Sequence, residues 1–438
     1  MSTAIGIIGL LAAVVLLMYL VYKGLNVVVM TILCSILIMV TNGMPIGETF
    51  SGVYMARLGQ MIGILGAIFI LGAIIGALYD ASGAAFSIVN FFIKHVKSNN
   101  PKTKTLVSVL CIMIITIGLG YFGVDSLVLL FLTTPICAEF CRQNDWDSKF
   151  VSVLIMSGPL ANILPGAIQT YNLIPMKYLG TTAMASAVPG FIACAVGFVL
   201  ILLYTAKSID KSVAAGEHFI ENETLNKAVT QHEKTPNALV SFIPLLVLFV
   251  LFNGFHLSIE ISMMVCVVLC VALFWKYIPS IPKALNTGIG NAARTTLNFG
   301  ALMGFAKVAM STAVFSNLIN VVANSQNIPP VLVVIVAVAL MTGVSNSANS
   351  GITAAMEAFA GTFMARGISP AIIHRAATLT GATLDTLPTN SGVIISMNLT
   401  GSTHKKSYKY ICMNTVVIPT IVVAIYAIMA LIAPGFCA

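Results

Sequence analysis

Few ionisable side chains occur inside the apolar stretches of this 438-residue sequence, and those few limit its chemistry. Asp125 and Asp385 sit at polar interruptions of long apolar runs. A carboxyl group so placed can carry a proton, hold a monovalent cation, or cap a helix start by accepting backbone N–H groups. The run Ser345-Asn346-Ser347-Ala348-Asn349-Ser350 offers hydroxyl and amide oxygens, which suit Na⁺ or a hydroxylated ligand. Lys307 and Arg375 are expected to pair with carboxylates or to stretch toward a membrane edge. His374 is expected to be a satisfied buried histidine, and Glu139 and Glu357 are expected to serve packing. Metal-hydrolase HExxH spacing, paired-aspartate metal motifs and a serine nucleophile with its base do not occur. The nine cysteines form no CxxC pair, and Cys137/Cys141 and Cys266/Cys270 have helix-face spacing suited to small buried apolar groups. This inventory points to binding and passage of small ions rather than to catalysis. No cofactor and no metal centre is expected.

The elements that must position these groups come in two similar sets. Ser157-Gly158-Pro159-Leu160-Ala161-Asn162-Ile163-Leu164-Pro165 and Thr380-Gly381-Ala382-Thr383-Leu384-Asp385-Thr386-Leu387-Pro388 share a (Ser/Thr)-Gly-x-x-x-(Asn/Asp)-x-Leu-Pro pattern. At the same offset Gly120 meets Gly343 and Ser126 meets Asn349, and upstream Gly72-x-x-x-Gly76 precedes as Gly300-x-x-x-Gly304 does. Each set contains a polar tip between apolar arms, at 120–126 and 343–351. Each is followed by a break, at 164–170 and 387–392. Arms of roughly 14–17 residues are short for a crossing and fit a re-entrant hairpin. Exposed tip backbone must then line a protein cavity, because lipid cannot satisfy it. Proline at each break removes a helical donor and clashes with the preceding turn.

Composition says where these sets reside. Charged residues make up 8% of the chain, hydrophobic residues 58%, and mean hydropathy is +0.99. Soluble domains carry roughly 25% charge, so a soluble enzyme, a disordered regulator and a nucleic-acid binder are excluded. Membrane spans are predicted at about 4–21, 25–41, 58–79, 183–206, 238–252, 257–275, 295–312 and 410–434. The first lacks the basic start and cleavage pattern of a signal peptide. The net charge of +8 is a topology signal. With Lys23 inside, most basic residues fall on that side: Lys94, Lys97, Lys102, Lys104, Arg142, Lys149, the connector 207–236, Lys276, Lys283, Arg294 and Lys405/Lys406/Lys409. Both termini then lie outside, and the two sets run in opposite senses.

The predicted fold is therefore an all-α integral membrane protein with two inverted-topology repeats, each holding a re-entrant helical hairpin and a discontinuous transmembrane helix. Residues 1–57 are N-terminal scaffold helices. Repeat 1 covers 58–206, with hairpin 105–141 and broken helix 149–178. A cytoplasmic connector, 207–236, and linking helices, 237–294, follow. Repeat 2 covers 295–438, with hairpin 329–365, broken helix 368–400 and final helix 410–434. Paired tips and breaks aim helix starts and unwound carbonyls at one midplane site, the arrangement of secondary transporters. Substrate contacts are expected from Gly123, Val124, Asp125, Ser126, Gln169, Thr170, Ser345, Asn346, Ser347, Asn349, Thr389, Asn390 and Ser391. Ion coupling is expected from Asp125, Asn162, Ser345, Asn346 and Asp385.

Met44-Pro45, the stretch Gly72–Gly83 with Asp80-Ala81-Ser82-Gly83, the Phe122–Pro135 tip and arm, Leu164-Pro165, Ser345–Ala355 and Leu387–Gly392 together resemble the gluconate permease (GntP) family of the ion transporter superfamily. The Ser345-Asn346-Ser347 tip is also similar to the Ser-Asn-Thr tip of sodium-coupled dicarboxylate carriers of that superfamily. The resemblance implies a scaffold, a moving transport unit, often a dimer, and an elevator motion. It implies gluconate and related sugar acids, hydroxy acids or a small amino acid as substrates, with proton coupling. Two stretches differ from the permease pattern. Gly166-Ala167-Ile168-Gln169 stands where that pattern is richer in proline and has a histidine. Thr386-Leu387-Pro388-Thr389-Asn390 stands where it has a His-x-Asn-Asp-Pro-like run.

The resulting expectation is a symporter of the inner (plasma) membrane that imports a small organic anion with H⁺ or Na⁺. Its partners are that anion, the coupling ion, membrane lipid and a second copy as a homodimer, with no nucleic acid. The rival readings are a cation/proton exchanger without organic substrate, a dicarboxylate or amino-acid carrier of the same superfamily, a channel, and, last, a membrane-embedded enzyme.

Overall fold

The computed structural model describes residues 3–23, 25–95, 100–121, 126–167, 169–221, 225, 234–255, 257–317 and 328–438. Among these residues the chain is all helix and connecting turns, with no strand. Helices α1 (Thr3–Tyr22) and α2 (Val27–Thr41) lead into a short α3 (Ile46–Thr49), a π turn (Phe50–Met55) and the long α4 (Ala56–Ser82). Then follow α5 (Ala84–His95), α6 (Pro101–Tyr121), α7 (Ser126–Gln143), α8 (Lys149–Ile155), a 3-10 turn (Gly158–Ile163), α9 (Thr170–Leu179) and α10 (Ala187–Ala214). After the connector come α11 (Ala238–Phe249), α12 (Ile259–Phe274), α13 (Ile281–Met310), α14 (Pro330–Ser345), α15 (Ala348–Ala365), α16 (Pro370–Gly381), α17 (Ser391–Thr400) and α18 (His404–Ile432).

Local chemistry sets many of these boundaries. Asn26, Asn237 and Ser258 cap α2, α11 and α12 by accepting the N–H of Val28 (2.9 Å), Leu239 (2.9 Å) and Ile261 (3.3 Å). Prolines open α6, α14 and α16, where their missing N–H costs nothing. Left-handed glycines at Gly83, Gly180 and Gly401 end α4, α9 and α17.

Several lengths differ from expectation. The helix predicted from 295 begins at Ile281, because Ser280 caps it and Lys283 and Arg294 extend one polar face. Residues 84–95 form a separate helix, α5, with a polar face that a search for apolar spans passes over. Helices α6 and α7, expected as hairpin arms, have 21 and 18 residues, longer than predicted, because Pro101 starts α6 ahead of Lys102 and Lys104. Conversely, α2 and α12 have only 15 and 16 residues, short of the roughly 20 a straight crossing needs.

Packing divides the helices into two groups. In the first, α4 lies along α13, α2 packs on α1 and α13, α12 on α4, and α11 on α5 and α12. In the second, α14 packs on α15 and α16, α9 on α15 and α16, and α7 on α8 and α17, while α10 and α18 pack on each other. The groups meet where α7 lies on α4 and α5, and where α13 touches α14 and α17. Gly76 sits in this seam: a Cβ there would stand 3.1 Å from the Phe131 carbonyl oxygen of α7. The equally spaced Gly304 has a different neighbour, Tyr54, whose carbonyl would lie 2.8 Å from its Cβ.

The described part of the connector docks on the 142–149 loop. Glu217 pairs with Lys149 and accepts from Ser212, Arg142 pairs with Glu139 and lies 3.4 Å from Glu221, and His218 lies 2.7 Å from Asp145. Hydrogen bonds from Lys149 and then Ser212 hold the Glu217 carboxyl below the usual range. The Phe219 N–H and His218 do the same for Asp145.

Candidate functional site

Each broken helix is tied to the hairpin beside it by side chains at the break. In the second set, α14 ends at Asn346, held at φ 50°, a left-handed conformation that asparagine tolerates better than most residues. Ser347 then caps α15 through the Ser350 N–H, so the tip is two residues wide. Thr389 Oγ1 donates to Asn346 Oδ1 (2.8 Å), and Asn390 Nδ2 donates to the Asn346 carbonyl (3.0 Å). Asn390 Oδ1 also accepts the Val393 N–H, so one residue both starts α17 and clamps the tip. Ser345 Oγ donates back to the Ser347 carbonyl at 3.0 Å. Ser391 is buried in the first turn of α17.

The first set uses the same logic with different residues. Gln169, the residue before α9, donates Nε2 to the Gly120 carbonyl (2.5 Å). Tyr121 OH donates to the Pro165 carbonyl (3.1 Å), and Ser126 Oγ donates to Asn162 Oδ1 (2.8 Å). Gly166 turns the chain at φ +79°, and a Cβ there would stand 2.7 Å from the Tyr121 hydroxyl, so only glycine fits. Gly123, Val124 and Asp125 lie outside the described residues.

The two sets meet across α9. Thr170 Oγ1 donates to Asn349 Oδ1 (2.6 Å) at an exposed position, joining the start of α9 to the start of α15. One residue on, Tyr171 OH donates to Asp385 Oδ2 (2.7 Å) on the buried side. Asp385 thus belongs to a different environment from the Asn346–Thr389–Asn390 clamp. It lines a small cavity with Asn162, Tyr171, Thr386, Asn414 and Thr415.

Sequence reasoning missed the residues beneath this centre. Arg375 is fully buried and forms no ion pair among the described residues, contrary to the expected pairing or surface reach. Its guanidinium donates to the carbonyls of Ile163 (3.2 Å), Ala183 (2.8 Å) and Ala185 (2.9 Å) and to Asn172 Oδ1 (3.0 Å). Asn172 Nδ2 in turn holds the carbonyls of Leu164 (3.0 Å) and Ala167 (3.2 Å). A charge from the second set therefore stabilises the unwound backbone of the first. Unwound carbonyls need donors in a place without water, which was the available signal for Arg375. His374 is buried with partners, Thr181 at 2.7 Å and Asn172 at 3.4 Å. Lys307 and Glu357 are exposed, and Glu139 pairs with Arg142.

Comparison with known proteins decides the class. Residues 5–256 match the family model described as GntP family permease. The chain belongs to the GntP permease family. This permease is 24% identical over 474 aligned residues to the "Uncharacterized transporter YxjC" of Bacillus subtilis (strain 168), covering 97% of this chain and 99% of that one. Among solved structures, the Alcanivorax borkumensis YdaH transporter, described as having an unusual topology, aligns over 87% of each chain at 11% identity and a TM-score of 0.39. The permease is a membrane transporter with apolar helices. Pro101–Gly118, Ala187–Ala214 and His404–Ile432 are each long and apolar enough to cross a bilayer.

Proposed function

We propose that this permease is a secondary carrier that imports a small organic carboxylate, a sugar acid or hydroxy acid, together with H⁺ or Na⁺. The observation that carries the reading is the convergence of three helix starts on one polar patch. The starts of α9 and α15 join through Thr170 and Asn349 at an exposed position, and α17 starts at Asn390 against the same tip. Helix N-termini favour an anion, and α9 has no side-chain cap competing for its first N–H groups. Thr170, Asn349 and the neighbouring Ser347 and Ser350 supply hydroxyl and amide partners for a hydroxylated acid.

In this reading 58–206 and 295–438 are inverted repeats, and their tips enter and leave on one side of the membrane. Reciprocal packing supports it: α7 lies on α17 as α15 lies on α9, and α4 pairs with α13 as α10 pairs with α18. The second helix group is then the moving unit of an elevator, and α1, α2, α4, α5 and α11–α13 form the scaffold. The carrier sits in the inner membrane as a homodimer with loop 207–236 cytoplasmic. Ion exchange without an organic substrate is the second reading, favoured by the buried Tyr171–Asp385 pair.

Counterflow in proteoliposomes against sugar acids, hydroxy acids, dicarboxylates and amino acids tests the proposal. Saturable uptake of at least one hydroxylated acid is expected. Asn346→Ala and Asn390→Ala should weaken it at least roughly tenfold, the loss of about 1.4 kcal/mol of site integrity. No saturable uptake of any acid, or full transport in both variants, would refute it.

A further inference from the structure

The cavity beside Asp385 has a chemistry that the substrate patch does not use. It is lined by the first break (Ser157, Asn162), by α9 (Tyr171), by α10 (Ile201), by the second break (Asp385, Thr386) and by α18 (Asn414, Thr415). Its volume is about 20 Å³, room for a single water-sized guest.

Several hydroxyl donors of its lining are already engaged, and Thr386 also hydrogen-bonds the Asp385 carboxylate. Ser157 Oγ donates to the Leu154 carbonyl (2.6 Å), Thr386 Oγ1 to the Thr415 carbonyl (2.9 Å), and Thr415 Oγ1 to the Ile411 carbonyl (2.9 Å). Tyr171 OH is committed to Asp385. Asn414 Nδ2 donates to Thr205 Oγ1 (2.8 Å), and its Oδ1 is buried without a partner. Asn414 itself is 2% exposed. It stands in a π segment, Met413–Val417, inside α18, a distortion that often marks functional sites.

The lining thus leaves acceptor lone pairs on the Asp385 carboxylate and on the unpartnered Asn414 Oδ1. No Lys, Arg or His among the described residues pairs with Asp385. A buried carboxylate without a counter-charge, sharing its cavity with a residue whose amide oxygen is orphaned, is deficient in positive charge. A water molecule would satisfy the amide but leave the charge. A dehydrated small cation satisfies both, and hydroxyl, amide and carboxylate oxygens are hard donors suited to it.

We propose that this cavity is a Na⁺ site, with Asp385 and Asn414 as ligands and Asn162 at its edge, and that Na⁺ there is the coupling ion. The coupling role rests on the carrier reading above; the site itself does not. Because Asn162, Tyr171, Asp385 and Asn414 come from both breaks and from α18, an ion bound here holds the two sets in one arrangement.

The test is thermal unfolding of the purified full chain in detergent, without organic anion. NaCl is titrated against choline chloride at constant ionic strength and pH. The wild type should show a saturable rise in unfolding temperature with Na⁺, because a ligand bound only by the folded state stabilises it. Asp385→Asn should lose the Na⁺ response and, in choline, melt at or above the wild type, since its unpaired charge is gone. A merely structural carboxylate would instead leave Asp385→Asn less stable in both salts. Asn414→Leu should raise the Na⁺ midpoint at least roughly tenfold, a loss of about 1.4 kcal/mol in binding. Gly47→Ala, whose added carbon meets nothing within 4 Å, should keep the response. If Asn414→Leu does not fold, Asp385→Asn carries the test alone.

Absence of a Na⁺ shift in the wild type would overturn the proposal. So would an unchanged shift in Asp385→Asn, or stabilisation by acid alone with no Na⁺ effect, which would assign Asp385 to a proton. A chain that shows the Na⁺ shift but takes up no carboxylate would sink only the carrier reading.

Discussion

Arg375 offers the most demanding check on the architecture. Replacing it with Met keeps much of the side-chain volume and removes the charge and all five N–H donors. Four acceptors lose the guanidinium, the carbonyls of Ile163, Ala183 and Ala185 and Asn172 Oδ1; Ala183 keeps the Gly166 N–H, and Ile163 and Asn172 are the buried ones. An orphaned buried acceptor costs about 1–3 kcal/mol. Against this, an unpaired buried cation no longer has to be desolvated, which returns several kcal/mol. The balance for Arg375→Met is a destabilisation of about 2–4 kcal/mol. Arg375→Lys keeps the charge but concentrates three donors on one atom, which cannot reach both Ile163 before α9 and Ala183 and Ala185 after it. Its loss should still be at least about 1 kcal/mol. Arg375→Ala should be worst, because Gly190 packs so closely on Arg375 Cδ that truncation opens a void beside it. The assay is detergent-phase thermal unfolding paired with proteoliposome uptake. If Arg375→Met melted with the wild type and transported at its rate, the account of a charge supporting the unwound first break would be wrong.

Other changes follow from the same geometry. Tyr171→Phe removes the hydroxyl 2.7 Å from Asp385; the expected result is an altered ion dependence of uptake with substrate affinity changed less than about threefold, read as initial rate against Na⁺ and pH. Gly76→Val places branched carbons against the Phe131 carbonyl, 3.1 Å from an added Cβ; transport should fall sharply, while Gly47→Ala, whose added carbon meets nothing within 4 Å, should be silent. Glu217, held below the ordinary carboxylate range by Lys149 and Ser212, contributes stability that is present above its unfolded value and is lost as pH falls through its lower folded value. Its side chain is 44% exposed, so Glu217→Gln should cost at most about 1 kcal/mol. The readout is proteolytic sensitivity of residues 215–221, which should rise in that variant at neutral pH and in the wild type in strong acid.

The sequence by itself determined the class of the molecule and the places where its longest apolar runs are interrupted. Sparse charge, long apolar runs and Pro/Gly/Asn interruptions are local quantities, and lipid makes every broken helix expensive enough to be noticed. The tip residues Asn346 and Ser347 and the break residues Thr389, Asn390 and Gln169 were legible because polar groups stand out against an apolar background.

What it left open depends on partners far apart along the chain. Whether Arg375 meets a carboxylate or a row of carbonyls is decided by where residues 163–185 fold back, and no local pattern encodes that. Tyr171 and Thr170 are neighbours, yet the turn of α9 sends one to Asp385 and the other to Asn349. Asn414 reads as a lone amide in an apolar helix until the fold gives its Nδ2 to Thr205, leaves its oxygen without a partner and sets the residue in the cavity wall. Tertiary structure decided these roles because a buried polar group takes its function from whichever donor or charge the fold brings within about 3 Å.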